Sequence, residues 1–95
     1  MVLTFEIDKI QSGLYRAAAT AGGGAVTEPG VYHSIEEAIR EEVAAVPEGF
    51  AYFGEVHYGG MSSGTFLLHE LAENATPITR RLMQLLAQAH ELGGT

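Results

Sequence analysis

Apolar and polar side chains alternate cleanly at the start of the chain. Leu3, Phe5 and Ile7 point to one side of an extended segment and the polar residues between them point to the other. This period of two is typical of a half-buried strand, here predicted over residues 3–9. A second strand is predicted over residues 14–20.

The turn between these two strands predicts their register. A three-residue loop at residues 11–13 places Gly13 at the left-handed position that such loops favour. A two-residue loop would instead mix the two faces of the hairpin by placing Ile7 opposite Arg16. We therefore expect the register of the longer loop, which pairs Asp8 with Arg16, Ile7 with Ala17 and Phe5 with Ala19.

Residues 34–46 predict the first helix. Ser34 can cap this helix, and Glu37, three residues later, completes a capping box. Pro47 ends it. Apolar residues at helical spacing form one stripe, so the opposite, charged face is expected to be solvated. The stripe comprises Ile35, Ala38, Ile39, Val43 and Val46.

Residues 50–58 alternate again and predict a strand. Gly54 interrupts it and suggests a bulge or a close approach of backbone. The alternation puts aromatic residues on both sides of this strand. One side carries Phe50, Tyr52, Val56 and Tyr58, and the other carries Phe53, Glu55 and His57.

Two segments leave alternatives open. Within residues 21–33, which contain two turn signals, either residues 25–27 or residues 31–33 could add a third strand at a sheet edge. Residues 65–71 fit a strand or a short helix, and a strand through His69 that returns beside the previous one is the simpler connection. The last helix is expected to be capped by Thr76, with Pro77 at its first position and an apolar stripe up to Leu92.

These elements predict a single α+β domain over residues 1–95. Its sheet is expected to be antiparallel, with three or four strands and two helices mainly on one face, in the order β-β-α-β-β-α.

Charge narrows the possible partners. Five basic residues oppose twelve acidic ones, which gives a formal net charge of −7. Phosphate backbones and anionic membranes attract clustered cations, and here only Arg80 and Arg81 are adjacent. We therefore expect no nucleic-acid and no membrane partner, whereas a basic protein suits an acidic surface.

Composition and motifs exclude several kinds of chemistry. The chain has no cysteine, so disulfides and thiolate sites are excluded. No secretory signal or membrane-length apolar run is visible, and a soluble, cytoplasmic protein is expected. The chain lacks a zinc-binding His-Glu-x-x-His, a phosphate-binding Gly-Lys-Ser/Thr and a nucleophile elbow. Accordingly, no catalytic residue, metal ligand set or cofactor is predicted.

The second strand face is the remaining candidate site. If two helices cover the first face, Phe53, Glu55 and His57 are left as a surface for a partner or a ligand. The sequence therefore favours a non-enzymatic interaction module, either a homodimer or an inhibitor of a basic protein, with sheet edges also exposed for contact.

The alternative is a small-ligand or metal-binding domain. Its pocket would lie between the central strand, the loop at residues 59–64 and the last helix, with His57, Met61 and His69 as lining. Two histidines and Glu55 could hold zinc or iron if they converge.

A weaker alternative comes from a resemblance to a known family. The hairpin and the segment GAVTEPGVYHSIEEAIREEV, residues 24–43, resemble the opening of HicB-type antitoxins, in which two strands lead to a Gly-x-x-Thr segment and a Glu-Glu-Ala helix start. The resemblance covers about residues 2–46 and implies strand-mediated binding of a toxin. This chain departs from the pattern by extra residues before Ser34 and by the lack of a recognisable DNA-binding tail.

Overall fold

The computed structural model describes residues 2–93. Within that range the chain forms one mixed sheet of seven strands, and three helices pack on one of its faces. In chain order the elements are β1 (Val2–Gln11), β2 (Leu14–Ala21), β3 (Gly24–Ala25), β4 (Gly30–Tyr32), α1 (Ile35–Ala45), β5 (Phe53–Tyr58), β6 (Met61–Ser62), β7 (Phe66–Leu67), α2 (Leu68–Glu73) and α3 (Ala75–Gly93). The α+β class is confirmed.

The predicted antiparallel sheet of three or four strands is wrong. The sheet has seven strands, and β1 and β5, which are far apart in the chain, pair in parallel. β1 is central, with β2 antiparallel on one side and β5 parallel on the other. The cause is β4, which pairs antiparallel with β2 and so turns the chain back into the direction of β1. Helix α1 then returns the chain to the start of β1, and β5 runs alongside it.

The predicted hairpin register is confirmed. Phe5 pairs with Ala19, Ile7 with Ala17 and Asp8 with Arg16. The connection is tighter than expected, since Gln11 pairs with Leu14 and a bulge between Lys9 and Gln11 absorbs the extra residue. Gly13 has a φ of 73°, the left-handed conformation that the sequence indicated.

Helix α1 is capped as predicted at Ser34, whose hydroxyl accepts a hydrogen bond from the Glu37 N–H at 3.0 Å. Its apolar stripe is buried at Ile35, Ala38 and Ile39. The predicted stripe omits Glu42, which is also buried and only 2% exposed. This residue lies on the buried side of the helix, beneath the segment that contains β4.

Three side chains and one backbone amide form a buried network around Glu42. The Thr27 hydroxyl donates to Glu42 Oε1, and the Tyr32 hydroxyl donates to Glu42 Oε2. Thr27 Oγ1 in turn accepts from the Ala19 N–H of β2 at 2.8 Å. Burial, followed by the hydrogen bond to Glu42 and its charge, raises the pKa of Tyr32 above its usual value of 10.0. The network ties residues 27–32 to both α1 and β2.

The strand predicted over residues 50–58 is shorter in the structure than the alternating segment of the sequence. β5 begins at Phe53, and both Phe50 and Tyr52 are exposed in the connection before it. The Phe50 N–H donates to the Pro47 carbonyl, so this part of the chain is a turn. The expectation that Phe50 and Tyr52 share a face with Val56 is therefore wrong.

After β5 the chain returns along this strand as two short strands, β6 and β7. β6 pairs antiparallel with the end of β5, and β7 pairs antiparallel with its start. The strand predicted through His69 is wrong, because α2 begins at Leu68. The Glu70 carboxylate accepts from the Leu67 N–H at 3.2 Å and so favours a helix start at this point.

Helix α3 begins one residue earlier than its predicted cap. The Ile78 N–H donates to the Asn74 carbonyl at 2.9 Å, which places Thr76 within the first turn. Pro77 is also in this turn. Backbone N–H groups in the first turn have no hydrogen-bond partner within the helix, so the missing N–H of proline costs nothing here. Its core-facing stripe is buried at Ala75, Ile78 and Leu82, and the predicted Leu92 side chain lies outside the residues whose side chains are described. No helix in residues 2–93 is both long and apolar enough to cross a bilayer.

Candidate binding face of the sheet

One face of the sheet is covered by the helices and the other is not. Residues that point away from the helices form what we call the open face, and no element within residues 2–93 lies over it. Across the strands the open face comprises Val2, Thr4, Glu6 and Asp8 of β1, Arg16, Ala18 and Thr20 of β2, Val31 of β4, Phe53, Glu55 and His57 of β5, Ser62 of β6 and Leu67 of β7. The predicted grouping of Phe53, Glu55 and His57 on one uncovered face is thus present.

Apolar side chains meet at one end of the open face. Phe53 pairs with Val2 on one side and with Leu67 on the other. Their exposed fractions are 44%, 44% and 36%. We call these three residues the apolar end. The sequence pattern singled out Phe53 alone, because its neighbours follow from the register of strands that are distant in the chain.

Charged side chains occupy the middle of the open face. Glu55 Oε1 lies 2.8 Å from His57 Nε2, and these side chains are 27% and 41% exposed. Glu6 is the register partner of His57, and Asp8 follows it on β1 beside Arg16. We call Glu6, Asp8 and Glu55 the acidic centre. Sequence reasoning missed Glu6 and Asp8 as site residues, although their alternation with Leu3, Phe5 and Ile7 already placed them on the opposite face.

Two shallow clefts flank the acidic centre. One, of about 280 Å³, lies between Glu6 and Asp8 on β1, His57 on β5 and the turn at Gly59 and Gly60. The other, of about 200 Å³, lies on the opposite side of the same two carboxylates, against Arg16 and Pro29. A side chain from a partner could enter either cleft next to a carboxylate.

Gly54 fixes the position of β5 relative to β1. A Cβ atom at this position would lie 2.7 Å from Cε2 of Phe5 and 2.9 Å from Cδ2 of Leu68. Such distances leave no room for a side chain, so the close approach indicated by the sequence is confirmed. Gly54 faces the covered side, and successive residues of a strand face opposite sides, so its neighbours Phe53 and Glu55 point outward.

The other two predicted site residues do not join this face. Met61 pairs with Tyr58 and packs against the core, whereas His57 pairs with Ser62 on the open side. His69 is exposed in the first turn of α2. The predicted pocket lined by His57, Met61 and His69 is therefore not formed in the described part of the chain.

A shared metal site is likewise not assembled. Among residues 2–93, no group of three or more histidines, aspartates and glutamates is placed to hold a metal ion. Glu55 and His57 pair with each other. The convergence with His69 that the metal hypothesis required does not occur.

The sheet edges are less open than the sequence suggested. β6 and β7 lie along the outer edge of β5, and between them Ser63 exchanges hydrogen bonds with Val56 through its N–H and its hydroxyl. β3 and β4 lie along the outer edge of β2, and the Val26 N–H donates to Ala19 between them. Edge strands of two or three residues offer little backbone for another strand to pair with.

Comparison with known proteins identifies no relative of this chain. No protein-family model, no curated protein and no solved structure matches the chain. The likeness of residues 2–46 to HicB-type antitoxins accordingly rests on the motifs quoted above.

Proposed function

We propose that the protein is a non-enzymatic interaction module that binds a basic protein partner through its open face. The observation that carries this proposal is the apolar end placed directly beside the acidic centre on one uncovered sheet. A partially exposed aromatic residue supplies contact area, and neighbouring charges select the partner. The sheet beneath them is held by a fully buried core, so the surface is already ordered before binding.

The apolar end supports a protein partner. Val2, Phe53 and Leu67 are contiguous across three strands, whereas single exposed apolar residues are common on any surface. Truncating an aromatic anchor at the centre of such a contact is what typically weakens binding most.

Charge favours a basic partner over a second copy of the chain. The acidic centre contributes three carboxylates, and Arg16 lies beside them on the open face. His57 is already hydrogen-bonded to Glu55. Two copies stacked through this face would bring their acidic centres together, and each copy carries a net charge of −7. Like charges in an interface disfavour association. A HicB-like antitoxin would be a special case of this proposal, with a toxin as the partner.

The proposal can be tested with a variant that alters the open face and a matched control that does not. Phe53→Ser combined with Glu55→Lys changes the open face. Phe50→Ser combined with Glu48→Lys changes an equally exposed phenylalanine, 44% in each case, and a nearby carboxylate outside the sheet. The immobilised wild type and the control should retain the same basic protein from the native cell at physiological salt, and the open-face variant should lose it.

Light scattering after size exclusion separates the possible outcomes. A monomeric wild type that retains a basic protein through the open face supports the proposal. If the wild type is a dimer and Phe53→Ser makes it a monomer, the open face binds a second copy of the chain and not a basic partner. Identical retention by all three proteins, or by none, would rule out the open face as the binding surface.

A further inference from the structure

We infer that the partner segment on the open face is a basic amphipathic helix that lies along the strands. Its apolar residues would contact the apolar end, and its cations would lie over the acidic centre. This inference rests on the proposed function, since it specifies which kind of segment occupies the same face.

The coverage of the sheet edges favours a helix over an added strand. Strand addition needs a continuous edge of backbone N–H and carbonyl groups. On this sheet the outermost strands are β3, β4, β6 and β7, each of two or three residues. The face of the sheet, in contrast, is continuous from β2 through β1 to β5. A helix that packs on this face would form a third layer, as helices on the second face of a sheet do in layered α/β proteins.

The spacing of the two parts of the open face suits the repeat of a helix. The apolar end includes Phe53 and Val2, which pair with each other, and Glu6 of the acidic centre lies four residues further along β1 beside His57. Four residues of strand span about 13 Å. Helical residues i and i+7 lie on the same side about 10 Å apart, and residues i and i+11 about 16 Å apart. Apolar residues at i and i+4 followed by basic residues at i+7 and i+11 would therefore reach both parts at once.

Charge sets the chemistry of the second half of this helix. Glu6 and Asp8 lie between the two clefts and face solvent, so a long cationic side chain can enter beside either carboxylate. Arginine suits such a position because its guanidinium forms paired hydrogen bonds with a carboxylate. An acidic or neutral helix would gain nothing from the acidic centre.

The experiment uses the full chain and three synthetic peptides of the same length and net charge. The first is an alanine-based helix with leucines at i and i+4 and arginines at i+7 and i+11. The second moves both arginines by two positions, which rotates them by about 200° to the opposite side. The third carries a proline in the middle of the first sequence and so cannot form the helix. Binding is followed by ¹H–¹⁵N chemical shifts of the protein.

The first peptide should shift the amide resonances of Thr4, Glu6 and Glu55. The other two peptides should bind about tenfold more weakly. Glu6→Gln with Glu55→Gln should weaken the first peptide by about three- to tenfold, because each exposed ion pair contributes modestly. The matched pair Glu36→Gln with Glu41→Gln on α1 should leave its binding unchanged.

Three results would overturn the inference. They are equal binding of all three peptides, shifts confined to α1 or α3, and no shift by the first peptide at millimolar concentration. If one of these occurs while the open-face variant still loses a basic protein from the cell, the face is correct and the helical partner is wrong. If neither experiment depends on the open face, the proposed function fails with it.

Discussion

The two faces of the central strands differ in burial and in the kinds of side chain that they carry. On the covered side, Leu3, Phe5 and Val56 are all at most 1% exposed and pack beneath the helices. On the open side, the alternate residues of the same strands are apolar at one end and acidic in the middle. Folding accounts for the covered side through burial. It does not require the outward-facing Phe53 beside Val2 and Leu67.

The same contrast separates two carboxylates. Glu42 is buried beneath residues 27–32 and accepts hydrogen bonds from two hydroxyl groups. Glu55 lies on the open face with one histidine partner and is partly exposed. A buried carboxylate that holds several hydrogen bonds is a structural part of the fold, whereas an exposed ion pair contributes little to stability. One carboxylate of this acidic chain is therefore part of the folded interior, whereas the other lies at the surface.

The largest expected difference is between two phenylalanines on opposite faces. Phe5→Ala leaves a cavity in the core and should lower the free energy of unfolding by about 3–5 kcal/mol. Phe53→Ala should change it by only about 0.5 kcal/mol, because this side chain is already partly exposed. Urea denaturation measures both. If Phe5→Ala does not fold, Ile7→Val should still cost about 0.5–1.5 kcal/mol. A loss at Phe53 as large as in the core would mean that the open face is part of the folded core.

A smaller difference is expected between the two carboxylates. Glu42→Ala leaves the hydroxyls of Thr27 and Tyr32 without their acceptor. Thr27 is buried, whereas Tyr32 is half-buried and its hydroxyl can turn to water, so the expected cost is about 1–3 kcal/mol. Glu55→Ala should cost about 0–1 kcal/mol. Glu42→Gln, which keeps one carbonyl acceptor, should fall between them. Equal losses for the two alanine variants in urea denaturation at neutral pH would contradict this assignment.

The sequence predicted those parts of the fold that depend on local periodicity. The position of Gly13 and the alternation of both strands were sufficient to predict the hairpin register, since a slip by one residue mixes the two faces. The direction of β5 could not be obtained in this way. It depends on β4, three residues in a segment rich in glycine and proline, whose pairing with β2 is a tertiary event.

The candidate site was predictable to a similar degree. Phe53, Glu55 and His57 share a face because of alternation alone, and this was predicted correctly. Their neighbours Val2 and Leu67 depend on strand pairing over long distances in the chain. Helical spacing already placed Glu42 on the stripe side of α1, seven residues after Ile35 and four after Ala38. Its hydrogen-bond partners were not predictable, because Thr27 and Tyr32 come from a separate segment.

The smallest expected effect is a dependence of stability on alkaline pH, which comes from the covered side. Burial is the main cause that raises the pKa of both Tyr32 and Tyr58, with Glu42 adding to the first and Tyr15 to the second. The folded state therefore holds these phenolic protons more tightly than the unfolded state does. Their contribution to stability is complete below about pH 10, the usual tyrosine value, and is lost as the pH rises from there towards the higher folded values.

Two phenylalanine substitutions test this assignment. Tyr32→Phe removes the hydrogen bond to Glu42 and so lowers stability at neutral pH, yet it should make the decline above about pH 10 shallower. Tyr58→Phe should also reduce the decline, and the double variant should show the shallowest slope. The measurement is urea denaturation at a series of pH values from neutral to strongly alkaline. If Tyr32→Phe declines as steeply as the wild type, the alkaline sensitivity arises elsewhere, and the phenol of Tyr32 is not held in its neutral form by the buried network.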